Sequence, residues 1–192
     1  LLEITDSEGK VISENSSSDI TMTDYRMQNQ SQPTCDGRPN LGNVFFPEDI
    51  SREQKEINRA YWIIEEHFAS CGVRIYKRGK KRLSDTDQEF IEVSFITPEI
   101  GLMYQRNLQS LANELGWILG ISQNPNQHEI KHWIANHINK SWGLAKEPSF
   151  FVEHSTVQVK LVNPPDEAST EWKTLVEEFD RFCGYKLQIA GG

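Results

Sequence analysis

A glycine followed by an aromatic residue and then by an alternating Leu and Ile occurs twice in this chain, and it constrains the fold more than any other feature. The first occurrence is Gly116-Trp117-Ile118-Leu119-Gly120-Ile121, and the second is Gly184-Tyr185-Lys186-Leu187-Gln188-Ile189. Each follows a stretch with the three- and four-residue apolar spacing of an amphipathic helix. Because glycine accepts the left-handed conformation that ends helices, each motif predicts a helix end followed directly by a strand.

The elements around the two motifs also match in order. Before the first motif, residues 57–68 predict a helix that Gly72 ends, and alternating residues predict strands at 73–77 and 90–97. The order helix–strand–strand–helix–strand recurs in the second stretch, which indicates an internal repeat. An opening strand at Val44-Phe45-Phe46 would give the first unit the ferredoxin-like order. We expect an α+β protein of two tandem ferredoxin-like repeats with antiparallel sheets.

Charge and composition divide the chain into three parts. Residues 1–50 carry nine acids and three bases, whereas residues 51–192 carry 19 acids and 17 bases. The early segment is rich in Ser, Thr, Asn and Gln and has little apolar periodicity, which favours a flexible acidic extension over residues 1–46. It would precede one repeat at 47–122 and another at 123–192. A strand–turn–strand pattern at its start predicts the end of a preceding domain, so we expect a piece of a longer protein.

Composition excludes several classes of protein. The formal charge of −8 argues against a general binder of polyanions. Apolar runs reach only a few residues, whereas a membrane helix needs about 20, so no membrane span is expected. The cysteines are three in number and none has C-x-x-C spacing, which predicts a reducing, cytoplasmic compartment without a disulfide framework. No phosphate-binding glycine motif occurs, and no cofactor is expected.

A basic segment is the first functional candidate. Six of the nine residues from Arg74 to Arg82 are positively charged. Alternation along the predicted strands places Tyr76 and Phe90 on an open sheet face and puts residues 80–82 in a hairpin loop. Single-stranded nucleic acid is bound by such surfaces, because bases stack on aromatic rings and cations track phosphates. The predicted contact residues are Arg74, Tyr76, Lys77, Arg78, Lys80, Lys81, Arg82 and Phe90.

The same segment has a plainer interpretation. Asp85, Asp87, Glu89 and Glu92 lie in or beside the predicted surface and would repel phosphate. A solvated hairpin, whose cations pair with these acids, is the alternative. A further alternative is an acidic protein partner, which includes the acidic arm of this chain.

The second candidate is a metal site. His128-Glu129-Ile130-Lys131-His132 has the H-E-x-x-H spacing in which two histidines bind zinc and the glutamate activates a bound water. Both histidines lie opposite the apolar stripe of their helix, and no third ligand is evident. His137 follows on the apolar side, where a core-edge histidine with one hydrogen bond is expected. No metal is therefore predicted, and a zinc peptidase using His128, Glu129 and His132 remains an alternative.

Together these features predict a non-catalytic binding or scaffolding module of a larger cytoplasmic protein. It would contact single-stranded RNA or DNA through the basic hairpin. The alternatives are a module that binds only proteins, including other domains of its parent chain, and the zinc peptidase.

Overall fold

The computed structural model describes residues 43–49, 51–83 and 87–190, all within one compact unit, Pro39–Gly192. The chain is an α+β protein. Its elements are β1 Val44–Phe45, α1 Ile57–Ser70, β2 Lys77–Arg82, β3 Glu89–Ser94, α2 Pro98–Met103, α3 Gln105–Leu115, β4 Ile118–Ile121, α4 Gln127–His137, β5 Ser149–Phe151, a 3-10 helix Val152–His154, β6 Thr156–Val159, α5 Thr170–Cys183 and β7 Lys186–Ile189. The predicted acidic extension lies outside the described residues except at 43–46.

The strands form two mixed sheets, with the orders β1-β4-β3-β2 and β5-β6-β7. The pairs β2–β3, β1–β4 and β5–β6 are antiparallel. The pairs β3–β4 and β6–β7 are parallel, so the prediction of antiparallel sheets is wrong there. The ferredoxin-like order is not confirmed. That order inserts another strand between the two strands that a crossover helix joins, whereas here the crossovers from β3 to β4 and from β6 to β7 join strands that pair with each other.

The glycines predicted to end helices do so. Gly116 ends α3 with a φ of 71°, and Gly184 ends α5 with a φ of 70°. Gly72 follows α1 with a φ of 71°. Gly116 is further constrained by space, because a Cβ there would lie 2.9 Å from the carbonyl oxygen of Glu53.

Two apolar cores hold the described residues together. In the first half (residues 43–122), α1 and α3 pack on β3 and β4; in the second half (residues 123–190), α4 and α5 pack on β6 and β7. Ile96, which follows β3, is part of the second core, and Ile100 of α2 contacts both cores. The chain after β3 therefore joins the two halves by direct packing.

Polar contacts reinforce this junction. The Thr97 hydroxyl donates to the Cys183 carbonyl oxygen at 2.5 Å and accepts from the Ile100 backbone N–H at 3.3 Å. It therefore caps α2 and ties it to the end of α5. Ser155 donates to the Glu99 carboxylate across the same boundary.

The basic segment forms a strand at a different place from the predicted one. β2 spans Lys77–Arg82 and pairs only with β3, so the residues predicted in a hairpin loop lie in an edge strand. Residues 73–76 precede the strand because the Val73 N–H returns to the Phe68 carbonyl oxygen and closes the end of α1. Lysine is common on edge strands, where its charge discourages pairing with another chain.

The helices within the described ranges are all too short or too polar to cross a membrane.

Candidate nucleic-acid interface

Most cations of β2 are already paired with carboxylates. Lys80 lies 3.0 Å from Glu89, Lys81 lies 2.7 Å from Glu92, and Arg82 lies 3.4 Å from Asp87. These pairs follow from the register, because they join neighbouring or diagonal positions on the same face of the hairpin.

Arg78 forms an ion pair with Glu65 of α1 and lies over the Tyr61 ring at 5.3 Å. With it, four of the predicted phosphate contacts are paired with carboxylates of β3, of the turn before β3 or of α1. The arrangement is that of the solvated, internally paired hairpin.

Phe90 does not offer a stacking face. Phe90 lies on the sheet face opposite the core residues Ile91 and Val93, as predicted, but its side chain is only 9% exposed, so the prediction of an exposed ring is wrong. The reason lies on the neighbouring strand, where Gly120 has no side chain. A Cβ at Gly120 would lie 2.7 Å from Cε2 of Phe90, so the ring occupies the space that the glycine leaves.

Arg74 and Tyr76 lie instead in a cleft between the two halves. The Arg74 guanidinium carbon lies 4.8 Å from the centre of the Tyr76 ring, and the Tyr76 backbone N–H donates to the Ser94 carbonyl oxygen at 2.9 Å. The cleft has a volume of about 410 Å³. Its remaining lining residues are Gly72, Val73, Ile96, Ile100, Met103, Tyr104, Arg181 and Phe182.

Packing between neighbouring helices holds the side chains of the cleft in place. Tyr104 lies between α2 and α3, and its ring meets the Phe68 ring edge-on at 5.9 Å. Arg181 and Phe182 belong to the last turn of α5. The Phe182 ring stacks on Trp133 of α4 with the centroids 5.3 Å apart and an interplanar angle of 13°. The cleft therefore combines two guanidinium groups with three aromatic rings.

The charge of this cleft suits an anion. Neither Arg74 nor Arg181 forms an ion pair with a carboxylate in the ranges that the structure covers. Burial raises the pKa of Tyr76, and the nearby Glu129 adds to this while Arg74 opposes it. Burial likewise raises the pKa of Tyr104. Both phenols therefore stay neutral at physiological pH and can donate a hydrogen bond to a phosphate oxygen without repelling it.

A second cavity, the side cavity, borders the cleft at Arg181 and Phe182. It has a volume of about 400 Å³, and Trp133, His137 and Glu178 complete its lining. The imidazole of His137 stacks on Trp133 with the centroids 3.9 Å apart and an interplanar angle of 6°. His137 is exposed rather than at the edge of the core, and its Nδ1 lies 2.8 Å from the Trp133 carbonyl oxygen.

The H-E-x-x-H residues lie on α4 and line neither of these two cavities. His128 and His132 are exposed and Glu129 is half-buried, and the Nε2 of His132 is 2.9 Å from the Asn136 amide nitrogen. Across the part of the chain that the structure describes, no three His, Cys, Asp or Glu residues come together as a metal site would require.

Sequence reasoning found Arg74 and Tyr76 but missed Tyr104, Arg181 and Phe182. Tyr104 and Phe182 fit the apolar stripes of their helices, and Arg181 is one charge among many on α5. Only the packing of the two halves brings them to Arg74. The sequence matches no protein-family model, and a comparison with curated proteins finds no relative.

Proposed function

We propose that this chain is a non-catalytic module that binds single-stranded nucleic acid in the cleft between its two halves. The observation that carries the proposal is the meeting of Arg74 with Arg181 around the rings of Tyr76, Tyr104 and Phe182. Bases stack on aromatic side chains regardless of sequence, and arginine binds phosphate with two parallel hydrogen bonds. A cleft of this size admits single bases and excludes a duplex.

The proposal also explains how an acidic protein would bind an acidic polymer. The net charge of −8 opposes non-specific association, so attraction must come from local cations. Each neutralised phosphate of a single strand contributes about −0.7 to the slope of log K against log salt. Two arginines therefore predict a slope of about −1.4 and a modest affinity, which suits one contact within a larger protein.

The test is fluorescence anisotropy of labelled ten-nucleotide RNA and DNA single strands, titrated with protein at several salt concentrations. Arg74→Ala with Arg181→Ala should weaken binding at least tenfold and remove most of the salt slope. The matched control is the triple variant Lys80→Ala, Lys81→Ala, Arg82→Ala, which should change affinity less than about threefold because its cations are already paired.

Two results would overturn the proposal. If the triple variant loses binding while the double arginine variant retains it, the binding site is the basic hairpin and not the cleft. Absence of binding by the wild-type protein at low salt, where electrostatic attraction is strongest, would exclude nucleic acid as the ligand.

A protein-interaction role is the second candidate, and a specific surface favours it. Trp62 on α1 is 48% exposed, and the Arg59 guanidinium lies over its ring at 4.4 Å. Trp and Arg are the residues most enriched in the energetic centres of protein interfaces. If the remainder of a parent chain binds this module when expressed separately, Trp62→Ala should weaken that binding at least tenfold.

Two further parts of the proposal concern the internal repeat and the cellular compartment. The halves are copies of one unit, which is supported by their shared order of a helix, an antiparallel strand pair, a crossover and a parallel strand. The proposed compartment is the cytoplasm, which is supported by the free thiols of Cys71 and Cys183, because thiols stay reduced there.

A further inference from the structure

β4 and β7 hold equivalent positions in their sheets, but only β4 has strands on both sides. Each follows a helix that ends in a left-handed glycine, and each pairs in parallel with the strand before that helix. In the first sheet, β1 pairs with the other edge of β4. In the second sheet, no strand of the described ranges pairs with the other edge of β7. β7 is therefore a sheet edge at the place where the first half has an added strand.

The free edge of β7 offers the backbone groups of Leu187 and Ile189. The N–H groups of Lys186 and Ala190 donate at 2.8 Å to carbonyl oxygens on the β6 side, and the N–H groups of successive residues in a strand point to alternate sides. Those of Leu187 and Ile189 therefore point away from β6, and neither meets a partner among the residues that the structure describes. This edge can accept another strand without breaking a hydrogen bond of the sheet.

The first sheet shows what such an edge accepts. Ile121 of β4 has the position that Ile189 has in β7, and its N–H donates at 2.8 Å to the carbonyl oxygen just before β1. β1 pairs antiparallel with Phe45 opposite Leu119, and Phe45 packs against the first core. An occupant of the β7 edge should therefore be an extended antiparallel segment with an apolar side chain opposite Leu187.

β7 of a second copy meets this description. A two-fold axis at Gln188 sets Leu187 opposite Ile189 of the second copy, so each of these N–H groups faces a carbonyl oxygen. Ile189 is half-buried against the second core, and it supplies the apolar side chain opposite Leu187. An axis at Leu187 would instead require the Tyr185 N–H, which is hydrogen-bonded to the Cys183 sulfur.

The charges along β7 also allow it to pair with itself. Gln188 is exposed and neutral, and it would lie opposite Gln188 of the second copy. Lys186 is the one charged residue of β7, and it would lie opposite Ala190. The other edges are less suited, because β2 carries five cations in six residues, and β1 and β5 are only two and three residues long. Among the described strands, β7 is therefore the edge best suited to self-pairing.

We propose that two copies of this chain associate by antiparallel pairing of their β7 strands about a two-fold axis at Gln188. The two three-stranded sheets then form one six-stranded sheet with the two β7 strands at its centre. A strand pair this short buries little area, so the association should be weak. The proposal does not depend on the binding of nucleic acid in the cleft.

Sedimentation equilibrium of the full chain, at concentrations from about 10 µM to about 1 mM, tests the association. The mass of the wild-type protein should rise from 22.1 kDa toward twice that value. Ile189→Pro removes the N–H that points to the free edge and no hydrogen bond to β6, so it should abolish this rise. Ile189→Val keeps the N–H and is the matched control, which should associate as the wild type does.

A pair of charge variants tests the position of the axis. Gln188→Lys places two lysines opposite each other and should weaken self-association about threefold to fivefold. This variant is labelled at its N-terminus and followed by sedimentation velocity. Unlabelled Gln188→Glu should raise its sedimentation coefficient more than the same concentration of unlabelled Gln188→Lys does. Because Gln188 is exposed, neither substitution should disturb the fold, which circular dichroism checks.

Three results would overturn the proposal. Wild-type protein that stays monomeric at the highest concentration would leave the β7 edge to an extended segment of a different protein. Folded Ile189→Pro protein that associates as the wild type does would place the contact on another surface. Equal effects of the two unlabelled Gln188 variants would exclude the axis at Gln188. If Ile189→Pro does not fold, the Gln188 variants alone decide the outcome.

Discussion

Tyr185 has its hydroxyl group in the core with no hydrogen-bond partner among the described residues. Burial raises the pKa of Tyr185, and Glu99 and Cys183 raise it further. Burial also raises the pKa of the adjacent Cys183 thiol to about 12, from a reference value of 9.0. Both groups therefore hold their protons more tightly in the folded chain than in the unfolded chain.

Because both pKa values are raised by folding, the unfolding free energy falls at alkaline pH. It is fully retained below the unfolded pKa values and is lost as the pH rises from those values through the folded ones, because the unfolded chain releases its protons first. The unfolding free energy of Tyr185→Phe should lie within about 1 kcal/mol of the wild-type value at pH 7, since no hydrogen bond is lost. When the pH is raised from 7 to 10.5, the unfolding free energy of this variant should fall by about 1 kcal/mol less than that of the wild type. Urea unfolding at both pH values measures this, and a loss above about 2 kcal/mol at pH 7 would show that the hydroxyl has a partner.

Gly116 offers a second test at a single residue. Gly116→Ala forces a side chain into a left-handed conformation and toward the Glu53 carbonyl oxygen, so it should cost about 2 kcal/mol of unfolding free energy. Gly79→Ala is the matched control, since nothing lies within 4 Å of its Cβ position and its φ is not positive. Equal urea midpoints for the two variants would contradict the role assigned to Gly116.

At the scale of elements, the sequence predicts helices and their ends better than strands. Apolar spacing and a terminal glycine mark α1, α3 and α5 locally, and those helix ends are confirmed, whereas α4 ends at Ile138 without a glycine. The start of α1 is harder to predict from the sequence. Ser51 and Gln54 have the spacing of a capping box, but they do not cap the helix. Its cap is Glu56, whose side chain accepts from the backbone N–H groups of Asn58 and Arg59. β2 could not be located because its charged residues carry no apolar alternation, and its register depends on β3.

Phe90 shows what packing on the neighbouring strand changes. The sequence predicts an exposed ring, and removal of an exposed ring would affect binding alone. The ring is instead buried against Gly120, so Phe90→Ala should cost about 3–5 kcal/mol of unfolding free energy. Lys81→Ala, directly across the strand pair, is the control and should cost less than about 1 kcal/mol. A Phe90→Ala protein as stable as the wild type would contradict the observed burial.

For the whole molecule, the decisive contacts join residues far apart in sequence. Ile96 is part of the second core, and Thr97 bonds to Cys183. The candidate site depends on the same junction, because Arg181 and Phe182 reach Arg74 only when the halves pack. Composition and periodicity act locally, so they could identify Arg74 and Tyr76 but not the cleft.

The junction predicts that the two halves unfold together. Thr97→Val removes a helix cap and leaves the Cys183 carbonyl without its donor, so it should cost about 2–4 kcal/mol, whereas Thr97→Ser keeps the hydroxyl and should cost less. Hydrogen exchange read by mass spectrometry in urea should show one transition for peptides of both halves in the wild type. Two separate transitions would contradict the coupling.

Photo-crosslinking of a single-stranded RNA containing 4-thiouridine, with the sites mapped by mass spectrometry, tests the proposed interface most directly. The interface predicts crosslinks in peptides that contain Tyr76, Tyr104 or Phe182, and their loss when Arg74 and Arg181 are both changed to Ala. Crosslinks confined to the strand at Lys77–Arg82, or none at low salt, would contradict it.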